Sequence, residues 1–96
     1  MLKIDKKVKG CRMEVALAGE LDSNTSPELE REVQDLENID EVVLDLKELA
    51  YTSSAGLRVI LGLRRRLVGR PLKLVNIGLG VREVLDMTGV SALLGV

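Results

Sequence analysis

Hydrophobic positions recur along this chain with two different periods, and the changes of period mark out its elements. Leu2 to Asp5 and Arg12 to Ala18 read as strands, the second alternating through Met13, Val15 and Leu17, with Lys9-Gly10 as the turn between them. Antiparallel strands joined by so short a turn form a hairpin, and this one is expected at the edge of a sheet. Gly19-Glu20-Leu21-Asp22 closes the second strand. The period then becomes helical: Leu29, Val33 and Leu36 fall at i, i+4 and i+7, with Glu28, Glu30, Arg31, Glu32 and Asp35 on the remaining faces. Ser23-Asn24-Thr25-Ser26-Pro27 supplies the start of that helix. It acts either as a capping box from Thr25 to Glu28 or with Ser26 as cap and Pro27 at the first helical position.

Val42 to Leu46 is a mostly apolar run, as expected of a central strand buried on both faces of a parallel sheet. A second helix is predicted from about Ser54 to Val68, where Leu57, Ile60, Leu61, Leu67 and Val68 recur at helical spacing. Gly69-Arg70-Pro71 stops it. Gly62 lies inside that helix at a cost of about 1 kcal/mol relative to Ala, which predicts close approach of the sheet or another helix. Leu72 to Ile77 reads as a strand, Val81 to Met87 as a helix, and Val90 to Val96 as a short apolar end. The order ββαβαβα predicts an α/β sandwich, a mixed central sheet of four to five strands with helices packed on it. No linker, repeat or low-complexity tract interrupts it, so residues 1–96 are expected to form a single domain.

Composition narrows what such a domain does. With 46% hydrophobic and 30% charged residues and a net charge of −1, the chain has no global attraction to nucleic acid or anionic membrane, so a partner must be recognised locally. Tyr51 is the only aromatic residue, which leaves no stacking platform for single-stranded nucleic acid. The chain has no His and one Cys, Cys11, and therefore no Ser-His or Cys-His nucleophile pair, no usual zinc set and no intrachain disulfide. Cys11 is expected as a small apolar filler in a strand. Met1 to Gly10 is lysine-rich and alternating, unlike a signal peptide, and no apolar run approaches a membrane span. A cytoplasmic protein without cofactor or metal is the expectation, and not an enzyme.

The densest chemistry lies in Tyr51-Thr52-Ser53-Ser54-Ala55-Gly56-Leu57, where a strand hands over to a helix. The first backbone N–H groups of a helix lack intrahelical partners and the macrodipole favours negative charge there. A hydroxyl at that place caps the free donors, and a phosphate added to it would be held by them at the surface. Ser53 and Ser54 are therefore candidates both for capping and for covalent switching. Asp22 and Asp45 form a conceivable metal or acid–base pair, but a useful site needs about three to four oxygen ligands and nothing identifies the rest. Asp22 equally suits a loop-shaping role and Asp45 a structural hydrogen bond. Arg64-Arg65-Arg66, with Arg58 and Arg70, is expected as a solvated face, because consecutive helical residues point in different directions. Arg58, one turn into the helix, is the better contact for a partner.

In this order and spacing, the fragments resemble the STAS domain family, the fold of bacterial anti-sigma factor antagonists and of the cytoplasmic tails of sulfate transporters. The resemblance spans nearly the whole chain. It rests on Gly19-Glu20-Leu21-Asp22, Val43-Leu44-Asp45-Leu46, Tyr51 to Leu57, Leu74-Val75-Asn76, and Val84-Leu85-Asp86-Met87-Thr88-Gly89-Val90. In the phosphorylated branch the helix opens with Asp-Ser-Ser/Thr-Gly-Leu and the first Ser accepts the phosphate. Alignment on Gly56-Leu57 places Ser54 at the acceptor position, with Ser53 where the family often has Asp and Ala55 where it often has a second Ser or Thr. Ser53 is the alternative acceptor.

The resemblance implies an anti-sigma factor antagonist that binds an anti-sigma factor with serine kinase activity. Binding would be switched off by phosphorylation, and Asp22, Ser23, Thr52, Ser53, Ser54 and Arg58 would form the partner surface. It also leaves open a STAS subunit of a stressosome-like or transporter complex without a phospho-switch. Family members commonly add a C-terminal helix after the segment matching Val90 to Val96, so part of that packing is expected to be absent or supplied by another subunit.

Overall fold

The first three strands run longer than the apolar stretches that announce them, whereas the last ends at Val75, two residues short of the expected Ile77. In the computed structural model, which describes residues 1–96, β1 (Leu2–Lys9) and β2 (Arg12–Leu21) pair antiparallel, from Leu2 opposite Gly19 to Lys9 opposite Arg12. Gly10 and Cys11 make the turn, so Cys11 is exposed and is not the strand filler expected. Its carbonyl, at the base of the sheet, accepts from the amides of Asp40 and Glu41. α1 (Ser26–Glu32) crosses to β3 (Glu41–Thr52), and α2 (Ser54–Arg66) crosses to β4 (Leu72–Val75). The sheet order β1-β2-β3-β4 has parallel pairing from β2 to β4, which gives the mixed sheet expected. α3 (Leu79–Met87) follows, and the apolar end forms a further short helix, α4 (Val90–Leu94).

Alternation decides which face of the sheet is covered. Met13, Val15 and Leu17 of β2 and Val42, Leu44 and Leu46 of β3 join one buried cluster with Leu29 and Val33 from the α1 side. The same cluster takes Leu57, Ile60 and Leu63 from α2, Val81 and Leu85 from α3, and Val90 and Leu94 from α4. The opposite face carries a shallow hollow lined by strand residues only, among them Asp5, Glu14, Val43 and Asp45. β3 is therefore covered by helices on one side, not on both as its apolar run suggested. Val43 stays buried there beneath charged neighbours, and Glu41 links Arg12 at 3.6 Å and Lys73 at 2.8 Å across three strands. The Lys73 hydrogen bond, aided by both cations, holds the Glu41 carboxyl below its ordinary range.

Both α1 and α2 stop short of the sequence expectation. Leu36 lies beyond α1, half-buried against the core, and Val68 lies beyond α2 and is 83% exposed. The arginine cluster is only partly a solvated face. Arg66 donates to Gln34 O, and Arg70 donates to Ile39 O at 2.6 Å and Arg66 O at 2.9 Å. These two guanidiniums fasten the α1–β3 loop to the end of α2, because five fixed donors suit a run of free carbonyls.

Candidate functional site

The parallel register sets Leu21 opposite Thr52, so the β2–α1 loop and the start of α2 leave the sheet side by side. Ser53 N donates to Leu21 O at 2.9 Å and ties the two together. Ser53 is the N-cap of α2: its backbone is extended and its Oγ accepts from Gly56 N at 3.5 Å, a long bond. Ser54 follows as the first helical residue, with its side chain exposed. Capping falls to one serine and leaves the other's hydroxyl free.

What seats this turn is Gly56. A Cβ at that position would lie 2.5 Å from Thr52 Oγ1 and 2.7 Å from Leu21 Cγ, so only glycine lets the first turn settle against the ends of β2 and β3. Thr52 itself is 1% exposed and its hydroxyl donates to Ser53 O at 3.2 Å. The expectation that Thr52 contacts a partner is therefore corrected: it supports the turn from beneath, because the register irregularities in the second half of the β2–β3 pairing break simple alternation and leave Leu46, Leu49 and Thr52 as the buried positions.

The adjoining loop is organised by Asp22. Its Oδ1 accepts from Asn24 N at 2.9 Å and Thr25 N at 3.0 Å. Thr25 Oγ1 accepts from Asp22 N and donates to Glu20 O, each at 2.9 Å, with Asp22 Oδ1 3.2 Å away. Ser26 Oγ donates to Asp22 O. Thr25 and Ser26 are buried, and their hydroxyls satisfy the loop instead of forming either helix cap the sequence offered. The bond from the Thr25 amide, more than any other influence, holds the Asp22 carboxyl below the usual carboxylate range. Asp22 thus shapes the loop, and the exposed Ser23 follows it at the surface.

Arg58 is exposed four residues after Ser54, on the same side of α2. Asp45 is not part of this site. It sits midway along β3, opposite Ala16 and Val75, and accepts from Lys47 N and Asn76 Nδ2 at 3.1 Å. No cluster of three or more His, Cys, Asp or Glu residues is placed to hold a metal ion. The structure therefore brings Asp22, Ser23, Ser53, Ser54 and Arg58 together, places Thr52 beneath them, and separates Asp45. Sequence reasoning missed Thr25, Ser26 and Gly56 as the groups that build the site. The glycine in the first turn of a helix was the one available signal.

Comparison with known proteins agrees with this architecture. The profile of the STAS domain matches residues 3–96. An anti-sigma-B factor antagonist of Listeria monocytogenes is 32% identical over 83 residues, 82% of this chain and 73% of that protein. Among solved structures, an anti-sigma factor antagonist from Mycobacterium paratuberculosis superposes with a TM-score of 0.87 at 21% identity, over 97% of this chain and 82% of the other. The Bacillus cell fate determinant SpoIIAA in its phosphorylated form gives 0.73 at 20% identity, over 96% and 86%. The paired ends of β2 and β3, the glycine-seated turn and the near full-length match lead to one conclusion: this chain belongs to the STAS domain family.

Proposed function

We propose that this protein is an anti-sigma factor antagonist that binds an anti-sigma factor with serine kinase activity, and that phosphorylation of Ser54 switches the binding off. The observation that carries the reading is the exposed Ser54 hydroxyl at the first position of α2, free of the capping duty that Ser53 performs. The Listeria relative, named for the same role, and the likeness to a structure described as phosphorylated support it. Asp22, Ser23, Ser53, Ser54 and Arg58 surround that hydroxyl and form the proposed contact patch. A sigma-directed role implies the cytoplasm as the place of action.

A phosphate adds about −1.5 to −2 charges, and at the start of a helix it is stabilised by the dipole and unpaired amides. The fold can therefore carry the modified state at this helix start, while docking must desolvate or oppose the new charge. A loss of about 2.8 kcal/mol weakens binding roughly a hundredfold, so no large conformational change is required.

The test is to incubate the protein with candidate serine-kinase anti-sigma factors and ATP, map phosphate by fragment mass, and measure complex formation with the parent and Ser54→Asp. The expected result is phosphate on Ser54 and loss of binding by Ser54→Asp with the thermal melt unchanged or raised. Association with Ser54 unmodified, and with Ser54→Asp binding as tightly as the parent, would remove the switch but keep the binding role. That outcome would favour the second reading, an interaction subunit of a stressosome-like or transporter assembly. The residues Ser53 and Ala55, which depart from the phosphorylated motif, are what keep that reading in play.

A further inference from the structure

α1 and α2 lie side by side over the sheet, and between them runs an open groove of about 350 Å³. Pro27 and Glu30 line it from α1, and Ala55, Arg58, Val59 and Gly62 from α2. Gly62 has no packing reason to be glycine. A Cβ there would meet nothing within 4 Å, so the close approach expected from the sequence does not exist. What the missing side chain leaves is space in the groove, at a cost to the helix of about 1 kcal/mol. A larger residue at this position would fill that space from within.

The groove is charged on one side of the balance. Arg58 is exposed and takes part in none of the protein's seven ion pairs. Arg66 lines the same groove, and Arg31 lines its continuation along α1, against the single carboxylate of Glu30. A chain with a net charge of −1 thus presents a local excess of cations beside the few apolar lining residues, Val33, Ala55, Val59 and Leu63.

We propose that this groove receives an acidic segment of the anti-sigma partner, with one aliphatic side chain of that segment seated over Gly62 and its carboxylates facing Arg58 and Arg31. This deepens the function proposed above and rests on it. The groove is continuous with the contact patch, because Ser23 and Ala55 both line it and Ala55 adjoins Ser54. A segment lying in the groove passes the Ser54 hydroxyl. Phosphate there repels the incoming carboxylates and, one helical turn from Arg58, competes with them for its guanidinium.

The experiment measures Kd of the serine-kinase anti-sigma factor for the parent, Gly62→Ala, Gly62→Leu, Arg58→Glu and Ser54→Asp, with a thermal melt of each. Support would be parent-like binding by Gly62→Ala and a loss of about 30-fold or more for Gly62→Leu with an undiminished melt, the scale of a lost hot spot. Arg58→Glu would weaken binding at least tenfold at low salt, and the loss would shrink as salt rises. The groove is overturned if Gly62→Leu binds like the parent while Ser54→Asp does not, a result that leaves the proposed function standing. It is also overturned if Arg58→Glu binds as well or better, which would mark an apolar or basic occupant. Failure of the parent itself to bind any such kinase overturns the function, and the groove with it. Should Gly62→Leu melt lower than the parent, Gly62→Met, with a flexible side chain, gives the same decision.

Discussion

Gly56 and Gly62 both interrupt α2, yet their surroundings are opposite. An atom added at 56 collides with Thr52 and Leu21, whereas one added at 62 meets open space. The first belongs to a junction knitted by its polar groups: Ser53 caps, Thr52 and Thr25 bond to main-chain carbonyls, and Asp22 collects its loop's amides. The second faces a groove that the protein leaves unfilled. Packing makes one glycine necessary for the fold. At the other the fold gains nothing from the missing side chain, and the groove stays open.

Substitutions sharpen this contrast, and the largest effect is expected at the junction. Gly56→Ala should destabilise by about 1–3 kcal/mol through overpacking, lowering the melting temperature by roughly 4–8 °C per kcal/mol. Thr25→Val should cost about 1–2 kcal/mol in chemical denaturation, because Asp22 N and Glu20 O lose their partner in a buried place. Gly62→Ala should move the other way and raise stability by about 0.5–1 kcal/mol. Changes of opposite sign at the two glycines are required; a stabilising Gly56→Ala would break the distinction. Ser53→Ala should cost only about 0.5 kcal/mol, the low end for a cap, since its bond to Gly56 N is long.

The smallest effect is one of pH. Because the folded pKa of Asp22 lies below its ordinary value, its contribution is fully present above the unfolded value of about 3.9 and is lost as pH falls through the folded one. The parent should therefore lose stability more steeply below about pH 4 than Asp22→Asn does, as followed by urea midpoints at each pH. Parallel curves would mean that the Asn24 and Thr25 amides do not depend on the carboxylate.

Much of this was legible in the residues. Alternation through Met13, Val15 and Leu17 placed β2, and Gly69-Pro71 closed α2 within two residues of its end. Ser53 and Ser54 were located at the helix start, though not which of them caps. Leu36 was misread as helical because its spacing satisfies burial whether or not the backbone continues the helix. Cys11 was placed in a strand because a small sulfur side chain carries no directional signal.

The sequence by itself determined the elements, their order and the concentration of hydroxyls at one strand-to-helix junction, because period and capping chemistry are local properties. Only the tertiary structure decided that Thr52 points inward and that Asp22 is spent on its loop. It also decided that Gly56 is crowded while Gly62 is open. Each of these depends on what a distant stretch of chain brings alongside, and the parallel register that sets Leu21 against Thr52 is invisible until the strands pair.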